Sequence, residues 1–295
     1  MNRFKYFTFL FIVWTSGMVI GRYKIFPYNQ IKYVQDFFQE SPKTLFSKEK
    51  RFKKTKNKSY VKINKKISTG IFLTYGQSNS ISSGQKGYKV KHPVYQFFND
   101  SCFLYSDPVL GTNDFSNIDN YGSVWGMVGD KLVEEGYFDQ VLFSVCGWGN
   151  TTMNQLSEGE LYNYLIQNHN NLKSHFGKVD GILFHQGEKN HTLSSDGNSD
   201  YYKLFNVFWE KINKNDSETK IFLSQASYCN NYVDKTLLSI QGKLIIDLKK
   251  VFRGPNTDTL IDSKYRLPDR CHFSMEGFEA YSKIWVEAII NKSEI

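Results

Sequence analysis

Serine, histidine, aspartate and amide side chains occur in four short polar stretches whose order along the chain could support chemistry. The first stretch, Gly76-Gln-Ser-Asn-Ser80, directly follows an apolar run. A serine on a tight strand-to-helix turn is how an α/β enzyme exposes a nucleophilic hydroxyl, and glycine permits the bend. The stretch lacks the second glycine of a G-x-S-x-G elbow, so alone it is equally consistent with an ordinary polar loop.

The second and third stretches contain groups that could stabilise a developing negative charge. Cys146-Gly-Trp-Gly-Asn-Thr-Thr152 has two glycines, whose backbone N–H groups can approach a substrate oxygen. His185-Gln-Gly-Glu-Lys-Asn190 has a side-chain amide that can donate to an oxyanion, where each fixed donor contributes about 2.7 to 4 kcal/mol. The alternatives are a plain turn for the glycines and a core or supporting role for His185, and we favour the supporting role.

The fourth stretch, Asp269-Arg-Cys-His-Phe273, places an aspartate and a histidine three residues apart. A general base must reach the serine hydroxyl and a carboxylate must fix the imidazole tautomer, so one loop can serve both needs. Taken alone, Asp-x-x-His is common as a surface pair. The occurrence of all four stretches in this order favours acyl transfer through a serine nucleophile.

The elements that must position these residues are short apolar runs and the helical patterns between them. Buried strands are predicted at Gly70–Tyr75, Gln140–Val145, Gly181–Phe184, Lys220–Ser224 and Lys243–Ile246. Helices are predicted at Val124–Glu135, Glu160–Lys173, Tyr201–Ile212 and Met275–Ile290, the last with Ser274 as its N-cap. The alternation predicts a three-layer α/β domain with a mostly parallel sheet, which binds ligands where strands end.

Charge is distributed unevenly along the chain. Residues 1–66 contain 16 Lys and Arg against 3 Asp and Glu, whereas the other 229 residues contain 21 basic and 26 acidic residues. A basic segment beside an acidic domain is typical of a tether near an anionic surface, and it gives no support to a domain that reads nucleic acid. We therefore expect a membrane contact and no nucleic-acid partner.

The N-terminus has the pattern of a membrane-targeting segment, because a nearly uncharged run, Tyr6–Gly21, lies between basic flanks. We predict an uncleaved signal anchor helix over residues 1–24, with a cleaved signal peptide or a buried helix as the alternatives. A basic juxtamembrane linker is predicted over 25–66 and a folded domain over 67–295. The folded domain is then expected outside the cytoplasm, periplasmic or extracellular, and secreted if the segment is cleaved.

The four cysteines, Cys102, Cys146, Cys229 and Cys271, have spacings that match no metal-binding pattern, so we expect no structural zinc. An even number of cysteines in an exported chain permits two disulfides. The spacing does not show which cysteines pair.

The four stretches together resemble the SGNH/GDSL hydrolase superfamily, and most closely its sialate O-acetylesterase-like branch, related to carbohydrate esterase family six. The resemblance covers about residues 69–291. It implies a flavodoxin-like three-layer sandwich. It also implies a serine esterase that removes O-acetyl groups from a carbohydrate such as sialic acid, xylan or a surface polysaccharide, with no metal or organic cofactor.

The resemblance further implies a role for each polar group. Ser78 corresponds to the nucleophile, His272 to the general base and Asp269 to the carboxylate that orients it. The Ser78 N–H, a glycine N–H and the Gln186 amide correspond to the oxyanion hole. Ser80 stands where the family often has methionine, and this change removes no catalytic group.

The glycine block departs from the usual G-G-T of the family. We prefer Gly149 as the oxyanion glycine because Gly149-Asn-Thr-Thr152 resembles the G-D-T-T of other superfamily members, and Gly147 is the alternative.

An exposed Trp148 would suit stacking on a sugar. The full set of substrate-binding candidates is Gln77, Asn79, Trp148, Asn150 and Glu188.

Three other functions stay open from the sequence. A polysaccharide O-acetyltransferase would use the same triad and pass the acetyl group to a sugar hydroxyl in place of water. An inactive, membrane-tethered carbohydrate-binding module would keep the fold without turnover. An esterase for longer acyl chains would need a deep apolar groove.

Overall fold

The structure is a computed structural model that describes residues 51, 53–56, 58–113, 122–190 and 197–291. The strands are β1 Tyr60–Val61, β2 Thr69–Gly76, β3 Val94–Phe98, β4 Ser101–Leu104, β5 Gln140–Val145, β6 Gly181–His185, β7 Ile221–Gln225 and β8 Val251–Asn256. The helices are α1 Trp125–Glu134, α2 Met153–Ser157, α3 Gly159–Phe176, α4 Gly197–Asn215, α5 Lys235–Asp247 and α6 Met275–Asn291.

All eight strands belong to one sheet in the order β1-β4-β3-β5-β2-β6-β7-β8. The pairs from β3 through β5, β2, β6 and β7 to β8 are parallel, and only β4 and β1 run antiparallel to their neighbours. The predicted mixed α/β fold with a mostly parallel sheet is therefore confirmed. β2 lies inside the sheet between β5 and β6, so the residues that follow it lie among the ends of three parallel strands.

The core lies on both faces of this sheet. On β2, Ile71, Leu73 and Tyr75 belong to one buried cluster with residues of α2, α3, α4 and α5, whereas Phe72 belongs to a second cluster with residues of α1 and α6. Successive side chains of a strand point to opposite faces, so this alternation places helices on both faces. All eight β2 residues are buried, which explains why the strand reads as a nearly continuous apolar run.

The structure corrects one predicted strand. Lys243–Ile246 belongs to helix α5, where Leu237, Gln241, Leu244 and Ile245 are buried at helical spacing. Asp234 caps this helix by accepting a hydrogen bond from Leu237 N at 3.0 Å. The actual edge strand is β8, which follows α5. A four-residue apolar run cannot be assigned to a strand or a helix by its period, because it is too short.

The other strands and helices predicted from the sequence are present, with α4 extending further at both ends than its pattern. Ser274 is the predicted N-cap of α6, since its Oγ accepts a hydrogen bond from Gly277 N at 3.0 Å. Strands β1, β3, β4 and β8 and helices α2 and α5 were not predicted. β1 lies within the segment that the sequence assigns to the linker, where Tyr60 and Val61 pair with Phe103 and Cys102 of β4.

The predicted anchor of residues 1–24 lies outside the described residues. Among the residues that the structure describes, no helix has the length and apolar character needed to cross a bilayer.

Candidate active site

The serine stretch forms a tight turn where β2 ends. Gly76 adopts a φ of 134°, and a Cβ built on it would lie 1.9 Å from the carbonyl oxygen of His185, so only glycine fits there. Gln77 N donates to the same carbonyl at 3.0 Å, and residues Ser78–Ser80 form one turn of 3-10 helix. Gln77 and Asn79 are buried while Ser78 is only partly buried, so the Ser78 hydroxyl is the accessible group of this turn.

The Asp-x-x-His stretch forms a second turn, directly before α6. Nδ1 of His272 donates to Oδ2 of Asp269 at 2.7 Å, and Oδ1 of Asp269 accepts from the backbone N–H groups of Cys271 and His272 at 2.9 and 3.0 Å. Burial raises the pKa of Asp269, but the bonds from His272 and the backbone outweigh it and hold that pKa at about 2. The carboxylate thus fixes the proton on Nδ1 and leaves Nε2 of His272 as an acceptor.

Asn79 connects the two turns. Its Nδ2 donates to the carbonyl oxygen of Cys271 at 3.2 Å and to Oε1 of Glu188 at 2.7 Å. Asn79 follows Ser78 and Cys271 precedes His272, so this bond holds the two turns side by side. Among the described residues no hydrogen bond joins Ser78 Oγ to His272 Nε2, and such contacts commonly tighten only when substrate is bound.

A buried polar network supports this connection. Nε2 of His185 donates to Oε1 of Glu188 at 2.7 Å, and the hydroxyl of Tyr281 donates to Nδ1 of His185 at 2.7 Å. Burial raises the pKa of Glu188, but the neighbouring His185 and the bonds from His185 and Asn79 outweigh it and hold that pKa at about 2. His185 is fully buried, in agreement with the supporting role expected for it.

The glycine turn packs against the serine turn. A Cβ at Gly147 would lie 2.4 Å from Oγ of Ser80 and 2.8 Å from the carbonyl oxygen of Gly76, which accepts a hydrogen bond from Trp148 N at 2.9 Å. The N–H of Gly149 donates to Oδ1 of Asn113 at 2.7 Å. Both glycines therefore lie in the turn beside Ser78, and the Gly149 amide already has an acceptor.

The expectation of an exposed Trp148 is wrong. Only 7% of this residue is exposed, and the guanidinium of Arg51 lies 5.3 Å from the centre of its ring. The indole belongs to the buried apolar cluster that includes Met153 and Leu156. Trp148 follows the end of β5, and its side chain packs into the core from there. With the described residues in place, little of Trp148 is exposed for stacking on a sugar.

The Gln186 amide lies between the glycine turn and Asn190. Its Nε2 donates to Oδ1 of Asn190 at 2.6 Å and to the carbonyl oxygen of Thr151 at 3.2 Å. Its Oε1 is buried and has no hydrogen-bond partner among the described residues. Gln186 thus joins the second and third polar stretches, and all four stretches meet at one edge of the sheet.

The remaining substrate-binding candidates differ in exposure. Gln77, Asn79 and Glu188 are at most 5% exposed and bond to neighbouring turns, as when Oε1 of Gln77 accepts from Lys189 N at 3.0 Å. Asn150 is exposed, with a φ of 58° in the glycine turn. Asn150 is therefore the member of the set that a substrate can reach.

Two features of the site were not predicted from the sequence. Arg266 is buried and donates to the carbonyl oxygens of Leu260, Thr257 and Cys271 at 2.6 to 2.8 Å. A disulfide joins Cys271 to Cys229. No pattern signals Arg266 because its acceptors are backbone carbonyls, which every sequence has. Within the described part of the chain, no group of three or more His, Cys, Asp or Glu side chains is placed to hold a metal ion.

A serine turn at the end of a parallel strand and an Asp–His turn before the last helix are the arrangement of an SGNH-type hydrolase. Residues 68–291 match the model of a family described as SASA, carbohydrate esterase, sialic acid-specific acetylesterase. The chain belongs to this family. Carbohydrate acetylesterase activity is thereby established at the level of the family.

Solved structures share the fold. A protein from Arabidopsis thaliana superposes with a TM-score of 0.60 at 13% sequence identity, over 76% of this chain and 98% of that chain. The structure of NanS superposes with a TM-score of 0.53 at 16% identity, over 76% of this chain and 97% of that chain. A search of curated proteins by sequence gives no significant match.

Proposed function

We propose that this protein is a serine esterase that removes O-acetyl groups from a carbohydrate through Ser78, His272 and Asp269. The observation that carries the proposal is the Asp269–His272 pair at 2.7 Å, held beside the serine turn by the bond from Asn79 to Cys271. A carboxylate on one imidazole nitrogen leaves the other free to take a proton from a hydroxyl.

The reaction proceeds in two steps. Nε2 of His272 takes the proton of Ser78 Oγ as this oxygen attacks the acetyl carbonyl, and the tetrahedral intermediate collapses when His272 returns the proton to the departing sugar oxygen. Water then attacks the acetyl-enzyme with His272 again as the base, releasing acetate and restoring the Ser78 hydroxyl. Asp269 stabilises the imidazolium that forms in each step.

The oxyanion of each intermediate is bound by the Ser78 N–H, the Gly149 N–H and the amide of Gln186 in this proposal, with Gly147 as the alternative glycine. The Gly149 N–H donates to Asn113 at 2.7 Å, and the Gln186 amide donates to Asn190 at 2.6 Å and to Thr151 at 3.2 Å. An oxyanion that uses either donor therefore takes the place of one of its present acceptors. Each fixed donor at this position contributes about 2.7 to 4 kcal/mol to the transition state.

The substrate in this proposal is an O-acetylated carbohydrate, such as acetylated sialic acid, xylan or a surface polysaccharide. The family match supports the acetyl group and the sugar class. Asn150 supports it as well, because an exposed amide can both donate to and accept from sugar hydroxyls.

We also propose that the N-terminal segment holds the catalytic domain at a membrane, outside the cytoplasm. The uncharged run Tyr6–Gly21 supports this location, as does the disulfide between Cys229 and Cys271. Disulfides form and persist in oxidising compartments and are rare in the cytosol. Fractionation of cells that express the full chain, with protease added to intact cells or spheroplasts, tests it: a protected catalytic domain would contradict the proposal.

Hydrolysis of p-nitrophenyl acetate, butyrate and octanoate by the full chain tests the acyl specificity. We expect turnover that favours acetate and is lost in Ser78→Ala, with Ser217→Ala as the control because Ser217 is an exposed serine distant in sequence from the four stretches. Acetate release from acetylated sialic acid, xylan and polysaccharide then identifies the sugar.

Absence of hydrolysis by a folded wild-type protein would refute the esterase. Acetyl transfer to an added sugar hydroxyl would then indicate the transferase, and sugar binding without either reaction would indicate a binding module.

A further inference from the structure

Cys271, one of the two residues between the proposed carboxylate and the proposed base, is held by four separate bonds. Cys271 N donates to Oδ1 of Asp269 at 2.9 Å. Its carbonyl oxygen accepts from Nη1 of Arg266 at 2.6 Å and from Nδ2 of Asn79 at 3.2 Å. Its Sγ is bonded to Cys229, 42 residues earlier in the chain. Three of these bonds are hydrogen bonds, and the disulfide is the only covalent one.

Cys229, the other half of the disulfide, belongs to a firmly held turn after β7. Cys229 and Tyr232 exchange backbone hydrogen bonds of 3.2 and 3.1 Å across a two-residue turn. Just before it, the backbone N–H groups of Ser227 and Tyr228 donate to Oδ1 of Asp258 at 2.9 and 3.0 Å. The disulfide therefore ties the Asp–His turn to a rigid point on a neighbouring strand end.

The Asp–His turn is also held by backbone bonds, since Leu267 N donates to the carbonyl oxygen of His272 and Arg270 N to that of Leu267, both at 2.8 Å, while its outer side faces solvent. The side chains of Asp269 and His272 are 44% and 28% exposed, and Arg270 adopts a φ of 56°. The turn projects at the surface, and the bonds at Cys271 join it to the serine turn and to the turn that carries Cys229. A shift of about 1 Å in a catalytic group can lower the rate about 100-fold.

We propose that the Cys229–Cys271 disulfide is a positioning element for His272, so that the esterase works in the oxidised form and loses most of its kcat when the disulfide is reduced. This inference rests on the proposed function of Ser78, His272 and Asp269. Reduction leaves the sheet and the Asp269–His272 pair in place, but it frees the turn that carries both side chains to move relative to Ser78.

Reduction proceeds by thiol–disulfide exchange with a dithiol such as dithiothreitol. Cys229 is partly exposed and Cys271 is 8% exposed, so the reagent thiolate attacks Sγ of Cys229 and Cys271 leaves as a thiolate that takes up a proton. The second thiol of the reagent then displaces Cys229 as its thiol and closes the reagent's own disulfide. Two electrons and two protons pass to the protein.

A disulfide that only stabilises the fold predicts a different result. Its reduction would lower the midpoint of thermal unfolding, and kcat would fall only in proportion to the fraction of unfolded protein. A positioning role predicts loss of kcat in a protein that remains folded, with KM nearly constant because the substrate-contacting surface is unchanged.

The test measures kcat and KM of the full chain for p-nitrophenyl acetate before and after dithiothreitol, at a temperature at which circular dichroism shows both forms folded. Thiol labelling confirms the reduction. We expect kcat to fall about 100-fold, KM to change less than about twofold, and oxidised glutathione to restore kcat. The Cys229→Ala variant should have the low kcat of the reduced wild-type protein, and dithiothreitol should not change it.

Retention of kcat in the fully reduced, folded protein would overturn the inference while leaving the proposed function intact. Unfolding of the reduced protein at every temperature of the assay would also overturn it, since the disulfide would then act on the fold. Absence of turnover by the oxidised protein would refute the proposed function and the inference together.

Discussion

Replacement of Asn79 by alanine tests the connection between the serine turn and the Asp–His turn. Nδ2 of Asn79 donates to a carboxylate oxygen of Glu188 at 2.7 Å and to the carbonyl oxygen of Cys271 at 3.2 Å, and the residue is 4% exposed. The substitution removes both bonds and leaves the buried carboxylate of Glu188 with His185 as its remaining side-chain donor.

The magnitude follows from these contacts. A hydrogen bond to a charged group contributes roughly 1.5 to 3 kcal/mol and one between neutral groups about 1 kcal/mol. Asn79→Ala should therefore lower the free energy of unfolding by about 3 kcal/mol. It should also lower kcat by about 10- to 100-fold, because the bond from Asn79 to the Cys271 carbonyl no longer fixes the distance between the two turns.

Urea unfolding followed by circular dichroism at neutral pH measures the first effect, and hydrolysis of p-nitrophenyl acetate measures the second. Asn163→Ala is the matched control, since Asn163 is exposed on α3 and its side chain makes no hydrogen bond to another described residue. The control should lie within about 0.5 kcal/mol of wild type. A loss below about 1 kcal/mol in Asn79→Ala, with unchanged kcat, would refute the reasoning.

Three further perturbations have defined outcomes. Asp269→Asn should lower kcat by about 10⁴-fold with little effect on folding, because the imidazole then loses the carboxylate that fixes its tautomer; steady-state kinetics check this, and wild-type kcat would contradict it. Burial raises the pKa of Asp107 from 3.8 to about 7, so the folded protein binds this proton more tightly than the unfolded chain. The free energy of unfolding should therefore fall as pH rises from about 4 to about 7, and Asp107→Asn should remove that part of the slope in urea titrations. Ser274→Ala should cost about 1 kcal/mol in the same urea assay, because Oγ of Ser274 caps α6, and no change would contradict the cap.

The central strands could be predicted from the sequence because burial on both faces gives them an unbroken apolar run. β2 and β5 are buried at every position, and both were predicted within one residue of their bounds. The edge strands lack this signal. β8 contains an exposed Arg253 together with Gly254 and Pro255, so its pattern resembles a loop and the more apolar Lys243–Ile246 was preferred wrongly.

The candidate site could be located from the sequence because chemistry at the ends of parallel strands follows apolar runs at fixed points of the pattern. The exposure of each side chain and the contacts between residues distant in the sequence could not be predicted in this way. The inward packing of Trp148 depends on the cluster around Met153, and Asn113 pairs with the backbone N–H of Gly149, which lies far along the chain. The pairing of Cys229 with Cys271 likewise depends on which strand ends are neighbours, and four cysteines allow three pairings.

The central claim is that Ser78 carries the acyl group, and trapping the acetyl-enzyme tests it most directly. The full chain is mixed with p-nitrophenyl acetate, quenched in acid within the first turnover and digested for mass spectrometry. We expect one added acetyl group on the peptide that contains Ser78, absent in Ser78→Ala and present in Ser217→Ala. Acetylation at another residue, or rapid hydrolysis by Ser78→Ala, would contradict the account.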